Sequence, residues 1–193
     1  MARRSCIGAV LAGGGGRRIG GDKAMVELEG RPLVHYPLNV LRAVLDEVAV
    51  VAKQSTVLPG LDVEIAIWLE PEEPRHPLAG VVHALRCARG QPVVVVAGDM
   101  PFVTRGLVAA LSRERSRGAA AVVPRAGGRL QPLCARYEPR ALGALAGCDL
   151  TAPLSDAVGA LDPRIVEWPD EEPFFTVNSP EDILQAAALL GGH

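Results

Sequence analysis

The sequence predicts an α/β fold built on a largely parallel sheet. Short apolar runs alternate with longer amphipathic ones along the whole chain, which is typical of successive β-α-β units. The run from Val93 to Val96 is continuously apolar, as expected for a central strand that is covered on both faces. With 193 residues, 49% of them hydrophobic and 22% charged, the chain can bury a core without disulfides or structural metal.

Each predicted element has a local signal. The apolar runs predict strands over residues 7–12, 48–52, 63–68, 93–97 and 120–123. The amphipathic segments predict four helices, which begin after Pro32, Pro77, Thr104 and Ser179 and end near residues 45, 88, 116 and 190, respectively. Pro is tolerated at the first helical position, and Ser or Thr oxygens accept from the unpaired amides of the first turn. The segment Ser179-Pro-Glu-Asp182 combines both signals with acidic residues where the helix dipole favours negative charge.

Composition and charge exclude several classes of function. A net charge of −2 and an aromatic content of 4% supply neither a basic surface nor stacking platforms for nucleic acid. The four cysteines contain no Cys-x-x-Cys pair and the four histidines have no close ligand spacing, so we expect reduced thiols and no zinc. The apolar run near the start is too short for a signal peptide, and no other run approaches about 18 apolar residues. We therefore expect a cytoplasmic protein with no nucleic-acid or membrane partner.

A glycine-rich segment follows the first predicted strand and reads Leu11-Ala-Gly-Gly-Gly-Gly-Arg-Arg-Ile-Gly-Gly-Asp-Lys-Ala24. Seven of the 21 glycines fall within residues 8–21, and glycine lets consecutive backbone amides converge on an anion. Arg17, Arg18 and Lys23 add positive charge, and Lys23 is unusual because 18 of the 20 basic residues are arginine. The segment predicts a phosphate site. The alternative is a surface loop that is simply rich in glycine.

Two common phosphate-binding motifs do not fit this segment. The dinucleotide fingerprint requires glycines at i, i+2 and i+5, and the last position is not glycine when counted from Gly13 or from Gly14. A Walker loop requires Lys and then Ser or Thr directly after Gly21, where the sequence continues Asp22-Lys23-Ala24. The segment belongs to neither class.

The segment closely resembles the Leu-Ala-Gly-Gly-x-small-x-Arg-Met-Gly-x-Asp-Lys signature of the MobA family of molybdenum cofactor guanylyltransferases, with Ile19 at the Met position. Further matching strings follow in order: Leu28-Glu-Gly-Arg-Pro-Leu33, Pro77-Leu-Ala-Gly80, Gly98-Asp-Met-Pro-Phe102, Leu130-Gln-Pro-Leu-Cys-Ala135 and Phe174-Phe-Thr-Val-Asn-Ser-Pro-Glu-Asp182. The resemblance implies a three-layer α/β/α fold with a Rossmann-like, mostly parallel sheet of the nucleotidyltransferase type. With no internal repeat or linker in the sequence, we expect a single nucleotidyltransferase domain over residues 1–193.

The resemblance also implies an activity. This activity is Mg²⁺-dependent transfer of GMP from GTP to the phosphate of molybdopterin, which forms molybdopterin guanine dinucleotide and releases pyrophosphate. The implied nucleotide-binding residues are Leu11, Ala12, Gly13, Gly14, Lys23, Glu70 and Asp99. The implied catalytic residues are Lys23, Asp99 and Arg18. Because a phosphate nucleophile is already ionised at pH 7, the reaction needs positioning and charge neutralisation rather than a general base.

Asp99 has a reason of its own to be a metal ligand. It follows the apolar run 93–97 and precedes Pro101, so it should stand at the carboxyl end of a central strand, where open α/β sheets bind ligands. One carboxylate at that point can hold Mg²⁺ against a triphosphate. The alternative is an Asp that only begins a turn. The resemblance assigns the metal role to Asp99.

Other acidic and polar positions leave alternatives open. Glu70 stands about where the family commonly has a nucleotide-contacting Asp, and a solvated acidic loop is the alternative. The resemblance places Gln131 and Asn178 near the metal and the pterin phosphate, and local capping is the alternative for Asn178. Thr176 stands where many members have Asn, which weakens one polar contact.

A further family Asn is matched by Val51, so any contact there would come from the backbone or from Lys53, which otherwise has no assigned role. Arg129 is a third polar residue beside these segments.

Three functions remain open alongside guanylyl transfer: cytidylyl transfer to the same pterin, nucleotidyl transfer to a sugar phosphate, and nucleotide sensing by a non-catalytic subunit. The two glycines after Leu11-Ala12 and the Gln-Pro-Leu segment at residue 131 favour the guanylyl branch. The expected partners are GTP and molybdopterin, with transient contacts to other proteins of molybdenum cofactor biosynthesis or to molybdoenzymes.

Overall fold

The computed structural model describes residues 6–13, 15–16 and 21–191. These residues form twelve strands, six α-helices and two single-turn 3-10 helices, at Lys23–Met25 and Glu172–Phe174. The strands are β1 (Ile7–Leu11), β2 (Gly15–Gly16), β3 (Gly21–Asp22), β4 (Glu27–Leu28), β5 (Arg31–Pro32), β6 (Glu47–Lys53), β7 (Ala66–Glu70), β8 (Val93–Ala97), β9 (Ala121–Ala126), β10 (Arg129–Leu130), β11 (Cys134–Tyr137) and β12 (Arg164–Glu167). The helices are α1 (His35–Arg42), α2 (Pro77–Cys87), α3 (Arg105–Arg113), α4 (Ala141–Ala146), α5 (Leu154–Gly159) and α6 (Pro180–Gly191).

Eight of the strands form one central sheet, in the order β10-β9-β11-β8-β1-β6-β7, with β12 beside β9. Strands β8, β1, β6 and β7 run parallel, as do β9 and β12. Strand β11 enters antiparallel between β8 and β9, and β10 is antiparallel to β9. The prediction of a mostly parallel sheet is confirmed.

Helices cover both faces of this sheet. In β8 the side chains alternate between the faces: Val94 and Val96 join the apolar cluster under α1 and α3, whereas Val93 and Val95 join the cluster under α2, α4 and α5. All five residues of β8 are buried, as its apolar sequence predicts. The three-layer α/β/α architecture is therefore confirmed. Among the described helices, none is long and apolar enough to cross a membrane.

One predicted strand is displaced along the sequence. The apolar run predicts residues 63–68, but the strand is Ala66–Glu70, because the chain first turns where the Ile65 amide donates to the Asp62 carbonyl at 3.0 Å. The apolar run alone does not mark that turn. The shift makes Glu70 the last residue of β7, in register with Lys53 at the end of β6.

The helix predicted after Pro32 begins later, at His35, because Pro32 belongs to the β4–β5 hairpin and pairs with Glu27. The other predicted starts are confirmed: Pro77 opens α2, and the Thr104 hydroxyl accepts from the Leu107 amide at 3.2 Å at the start of α3. The sequence did not predict α4, α5, β11 or β12. Helices α4 and α5 are only six residues long, too short for a clear apolar periodicity.

Candidate active site

A cavity of about 280 Å³ lies at the carboxyl ends of the parallel strands β1, β6, β7 and β8. Open α/β sheets bind their ligands at this edge because several strand ends and helix starts converge there. Each of the four strands contributes lining residues, among them Leu11 and Gly13 from β1 and its end, Lys53 from β6, Glu70 from β7 and Asp99 after β8. The cavity therefore stands where the sequence predicted ligand binding.

The ends of β1 and β8 approach closely. The Gly98 amide donates to the Leu11 carbonyl at 2.9 Å, and a Cβ on Gly98 would lie only 3.0 Å from that oxygen. Glycine at position 98 therefore allows the contact. The Ala12 amide in turn donates to the Val51 carbonyl of β6 at 2.8 Å. These bonds hold Asp99 beside the segment that leaves β1.

Lys23 links two oxygens on the rim of the cavity. Its Nζ donates to Asp99 Oδ2 at 2.8 Å and also to Asn178 Oδ1. The Lys23 and Asp99 side chains are 19% and 17% exposed, so the pair is shielded from solvent but accessible from the cavity. Asp99 is also tied to the segment before α6, because its carbonyl accepts from the Val177 amide at 2.9 Å.

Asn178 is directed to the site because other residues cap α6. The Asp182 amide donates to Ser179 Oγ at 3.2 Å, and the Asp182 carboxylate accepts from the Ser179 and Asn178 amides. The Asn178 side chain is therefore available, and its Nδ2 donates to Thr176 Oγ1 at 2.8 Å while its Oδ1 accepts from Lys23. The alternative that the Asn178 side chain caps the helix is wrong. Thr176 orients Asn178.

A second lysine–carboxylate pair lies deeper in the cavity. Lys53 Nζ is 3.5 Å from Glu70 Oε1 and donates to the Pro71 carbonyl at 2.7 Å, and the two side chains are only 6% and 7% exposed. Burial raises the pKa of the Glu70 carboxyl above its ordinary value, and the Lys53 ammonium partly opposes that rise. The alternative of a solvated acidic loop at Glu70 is wrong.

The walls around Glu70 require small residues. A Cβ on Gly13 would stand 2.5 Å from Glu70 Oε1, so glycine leaves the space that the carboxylate fills.

On the opposite side of the cavity α2 begins at Pro77, and His76 caps it by accepting from the Leu78 amide through Nδ1 at 3.2 Å. His76 and Pro77 both line the cavity, so the positive end of the α2 dipole faces it.

The structure brings together most of the residues that the sequence singled out. The predicted residues that line the cavity are Leu11, Ala12, Gly13, Lys23, Glu70, Asp99 and Asn178. Gly14, Arg17 and Arg18 lie outside the described residues. Gln131 is not among the lining residues of the described chain. Its main-chain amide donates to the Pro124 carbonyl at 2.9 Å in the turn before β11. Arg129 forms a surface ion pair with Glu171 at 3.2 Å.

Three lining residues with charged or polar side chains were not among the predicted site residues: Lys53, Arg75 and His76. Lys53 had one available signal, since it is one of only two lysines in the chain and directly follows the strand predicted over residues 48–52. His76 had none, because its role as the cap of α2 depends on where the preceding loop turns.

The oxygen donors beside Lys23 fit a magnesium ion. Asp99 supplies a carboxylate and Asn178 an amide oxygen, and both oxygens already converge on one cation, the Lys23 ammonium. Within the described ranges no group of three or more His, Cys, Asp or Glu side chains could hold a metal. A single carboxylate suits Mg²⁺, which keeps waters and takes phosphate oxygens as its remaining ligands.

Comparison with known proteins identifies the family of the chain. Residues 8–163 match the MobA-like NTP transferase domain family. A molybdenum cofactor guanylyltransferase from Cereibacter sphaeroides is 37% identical over 192 residues, which cover 95% of this chain and 96% of that protein. A probable molybdenum cofactor guanylyltransferase from Natronomonas pharaonis is 33% identical over 199 residues, covering 95% of this chain and 97% of the relative.

Solved structures agree in fold. The molybdopterin-guanine dinucleotide biosynthesis protein A of Archaeoglobus fulgidus superposes with a TM-score of 0.74 at 25% identity, over 97% of this chain and all of that one. The 2-C-methyl-D-erythritol 4-phosphate cytidylyltransferase of Thermus thermophilus shares the fold with a TM-score of 0.68 at 24% identity, over 95% of this chain and 98% of the other. The chain belongs to the MobA-like NTP transferase family and is a nucleotidyltransferase.

Proposed function

We propose that the protein transfers GMP from GTP to the phosphate of molybdopterin. The observation that carries this proposal is the agreement of two relatives at 33% and 37% identity, nearly full length, whose names specify a molybdenum cofactor guanylyltransferase. The cavity supports it independently, since lysine, carboxylate and amide side chains converge at the carboxyl ends of parallel strands, where a triphosphate would be held.

In the proposed step an oxygen of the molybdopterin phosphate attacks the α-phosphorus of GTP. A phosphorus–oxygen bond forms there, the bond to the β-bridging oxygen breaks, and pyrophosphate leaves with that electron pair. The product carries a diphosphate bridge between the pterin and guanosine. All reacting groups are anionic, so the protein contributes charge neutralisation and alignment.

Lys23 and Asp99 act at the phosphates in this proposal. The Lys23 ammonium neutralises developing charge on the triphosphate, with Arg18 and the backbone of residues 11–14 assigned to the same phosphates. Asp99, with Asn178 beside it, holds Mg²⁺, which supplies Lewis-acid stabilisation of the phosphate oxygens when bound. The contact of the Asp99 carbonyl with the Val177 amide keeps this edge of the site aligned.

Glu70 acts at the base. An ionised carboxylate only accepts hydrogen bonds, and the guanine edge offers two adjacent N–H donors that its two oxygens can accept together. Cytosine presents a single amino group beside a ring-nitrogen acceptor, which would face the carboxylate unpaired. Lys53 opposes the rise in the pKa of Glu70, so it favours the ionised carboxylate that this contact requires and holds it in place. The preference for GTP over CTP follows from this pairing.

The pterin side is assigned to Asn178 and Gln131. Leu133, two residues after Gln131, lines the cavity, so a substrate that extends past Leu133 would approach Gln131.

The protein is further proposed to act as one domain over residues 1–193 in the cytoplasm, with transient contacts to other proteins of molybdenum cofactor biosynthesis or to molybdoenzymes. A single cooperative unfolding transition would support the single domain.

The direct test is a transfer assay. Purified protein is incubated with molybdopterin, Mg²⁺ and GTP that is labelled at the α-phosphate. The labelled dinucleotide and the unlabelled pyrophosphate are then quantified separately. We expect equal amounts of the two products, with little product when CTP, ATP or UTP replaces GTP. Transfer from CTP in preference to GTP would overturn the guanylyl assignment, and no transfer from any nucleotide would favour a sensing role.

A thermal-shift screen tests base choice without the pterin. A ligand that binds only the folded state raises the melting temperature as its occupancy increases, so GTP with Mg²⁺ should stabilise more than CTP, ATP or UTP. Glu70→Gln is the matched variant, because it keeps the shape of the side chain and replaces one acceptor by a donor. We expect this variant to lose the preference for GTP.

A further inference from the structure

Lys23 occupies the position of a cation between two oxygens that belong to different parts of the chain. Asp99 follows β8, whereas Asn178 precedes α6, and both oxygens accept from the same Nζ. Asn178 is held in this orientation by a hydrogen bond from its Nδ2 to Thr176 Oγ1. The neighbouring turn is fixed because the Ser179 main-chain amide donates to the Asp182 carboxylate and the Asp182 main-chain amide donates to Ser179 Oγ. The two oxygens are therefore arranged around a positive centre before any substrate arrives.

An ammonium and a divalent metal ion compete for such oxygens. Both seek carboxylate and amide oxygen atoms, and two positive centres on one carboxylate repel each other, most strongly where the site is shielded from water. The Asp99 carboxylate is largely shielded, at 17% exposure. Mg²⁺ also gives up its waters reluctantly, so a position already taken by an ammonium binds it poorly.

A triphosphate changes this competition because it offers the ammonium other partners. Lys23 lies in a single 3-10 turn beside the cavity, and its long unbranched side chain can exchange the carboxylate for phosphate oxygens without movement of the sheet. When the ammonium moves to a phosphate, Asp99 and Asn178 become available to a metal ion. The phosphates complete the ligand set of that ion.

We propose that Lys23 acts as an internal counter-cation that excludes divalent metal from Asp99 and Asn178 until a nucleoside triphosphate is bound. Metal then enters the site together with the triphosphate. This inference rests on the proposed placement of the metal at Asp99, and it adds an order of binding and a second role for Lys23, which is to occupy the ligand pair before the nucleotide binds.

The test measures metal binding in the absence of nucleotide. Mn²⁺ serves as the probe, because the electron paramagnetic resonance signal of the free ion is lost when it binds protein. Wild-type protein and Lys23→Met are titrated at the same ionic strength. We expect Lys23→Met to bind Mn²⁺ at least ~10-fold more tightly than wild type, since one charge is removed from contact with the ligand. Equal or weaker binding by the variant would overturn the proposal.

Two controls identify the cause of any gain. Arg75→Met removes a positive charge from the same cavity, and Arg75 pairs with Glu72 and Glu73 rather than with Asp99, so its Mn²⁺ affinity should change less than ~2-fold. Adding Asp99→Asn to Lys23→Met should abolish the gain. A gain that survives Asp99→Asn, or one that Arg75→Met reproduces, would contradict competition at Asp99.

The proposed function and this inference fail separately. Transfer of GMP by wild-type protein, together with unchanged Mn²⁺ affinity in Lys23→Met, would reject only the counter-cation. Tighter Mn²⁺ binding by Lys23→Met, without transfer of GMP by wild type, would reject only the guanylyl assignment. Circular dichroism of each variant confirms that the fold is retained before either result is interpreted.

Discussion

The two lysines of the chain line the same cavity, and each faces a carboxylate, but the two pairs differ in almost every physical property. Lys23 and Asp99 are in close contact at 2.8 Å, are each nearly a fifth exposed, and come from a short turn and a strand end. Lys53 and Glu70 are 3.5 Å apart, almost fully buried, and fixed opposite each other by the register of β6 and β7.

This difference separates two tasks. A partly exposed ammonium on an independent turn can exchange one anionic partner for another at modest cost, which suits contact with a reacting phosphate. A buried pair held by sheet register cannot exchange partners without leaving a charge unpaired, which costs several kcal/mol. We therefore expect changes in the first pair to alter turnover and metal binding, and changes in the second pair to alter stability and base choice.

The largest effect should follow from Asp99→Ala. Removal of the carboxylate should lower kcat by ~10³-fold, or about 4 kcal/mol, as expected for a preorganised electrostatic group. The fold should be retained, because Asp99 contacts the segment before α6 through its backbone carbonyl, which the substitution leaves in place. Dinucleotide formation and urea unfolding measure the two quantities. Near-normal turnover would show that the first pair has no role in the reaction.

Breaking the second pair, Lys53 with Glu70, should mainly lower the free energy of unfolding. Lys53→Met leaves Glu70 buried without a partner, and the free energy of unfolding at pH 8 should fall by about 3 kcal/mol. The pKa of Glu70 is raised above its ordinary value of 4.5 by burial, and loss of Lys53 should raise it further. The variant therefore loses stability as the pH rises through that pKa, and the loss should be much smaller at pH 5 than at pH 8.

Urea unfolding at both pH values measures this dependence. Adding Glu70→Gln to Lys53→Met removes the unpaired charge and should restore most of the lost stability at pH 8. Arg42→Met is the control on an exposed pair with Asp62, whose side chains are 37% and 62% exposed, and it should cost less than about 1 kcal/mol. A loss for Lys53→Met that does not depend on pH would contradict the linkage to Glu70.

Lys23→Ala should give the converse result. Loss of one preorganised charge contact predicts a decrease of ~10²-fold in kcat/KM for GTP, or about 2.7 kcal/mol. Stability should change much less than in Lys53→Met, because Asp99 lines the cavity, from which water can solvate its carboxylate once the ammonium is removed. A large loss of stability with unchanged kcat/KM would place this pair in the same class as the buried one.

The sequence could predict the first pair more readily than the second. Asp99 follows a continuously apolar strand and Lys23 ends a glycine-rich segment, and both signals are local. The parallel sheet and the cavity at its carboxyl edge follow from the same local patterns. The contact of Lys23 with Asn178 spans 155 residues, so no local pattern marks it, and only the family resemblance placed Asn178 near the metal.

The second pair depends on strand register. Lys53 and Glu70 meet because β7 begins at Ala66, three residues later than the apolar pattern predicted. An error of one residue in register turns a side chain to the other face of a sheet, and nothing in the sequence near Glu70 fixes that register. For this reason the sequence left two interpretations of Glu70 open, a nucleotide contact and a solvated loop, and assigned no role to Lys53.

The smallest expected effect tests how rigidly the second pair is held. Gly13→Ala would place a Cβ 2.5 Å from Glu70 Oε1, whereas a Cβ on Gly80, on the opposite wall, would lie 3.7 Å from Oε2. Because Lys53 and the surrounding core keep the Glu70 carboxylate from moving away, Gly13→Ala should cost about 1–2 kcal/mol of stability and weaken GTP binding. Gly80→Ala should be neutral or slightly stabilising, since alanine is preferred within a helix.

Glu70→Asp provides the rescue, because it withdraws the carboxylate by one methylene from the space that the new Cβ at position 13 would need. The double variant with Gly13→Ala should therefore be more stable than the sum of the two single changes predicts. Thermal unfolding and GTP titration of the four proteins measure this coupling. Strictly additive losses would mean that the carboxylate moves freely in the cavity. In that case Lys53 and Glu70 would resemble the exchangeable pair at Lys23, and the separation of tasks between the two lysines would not hold.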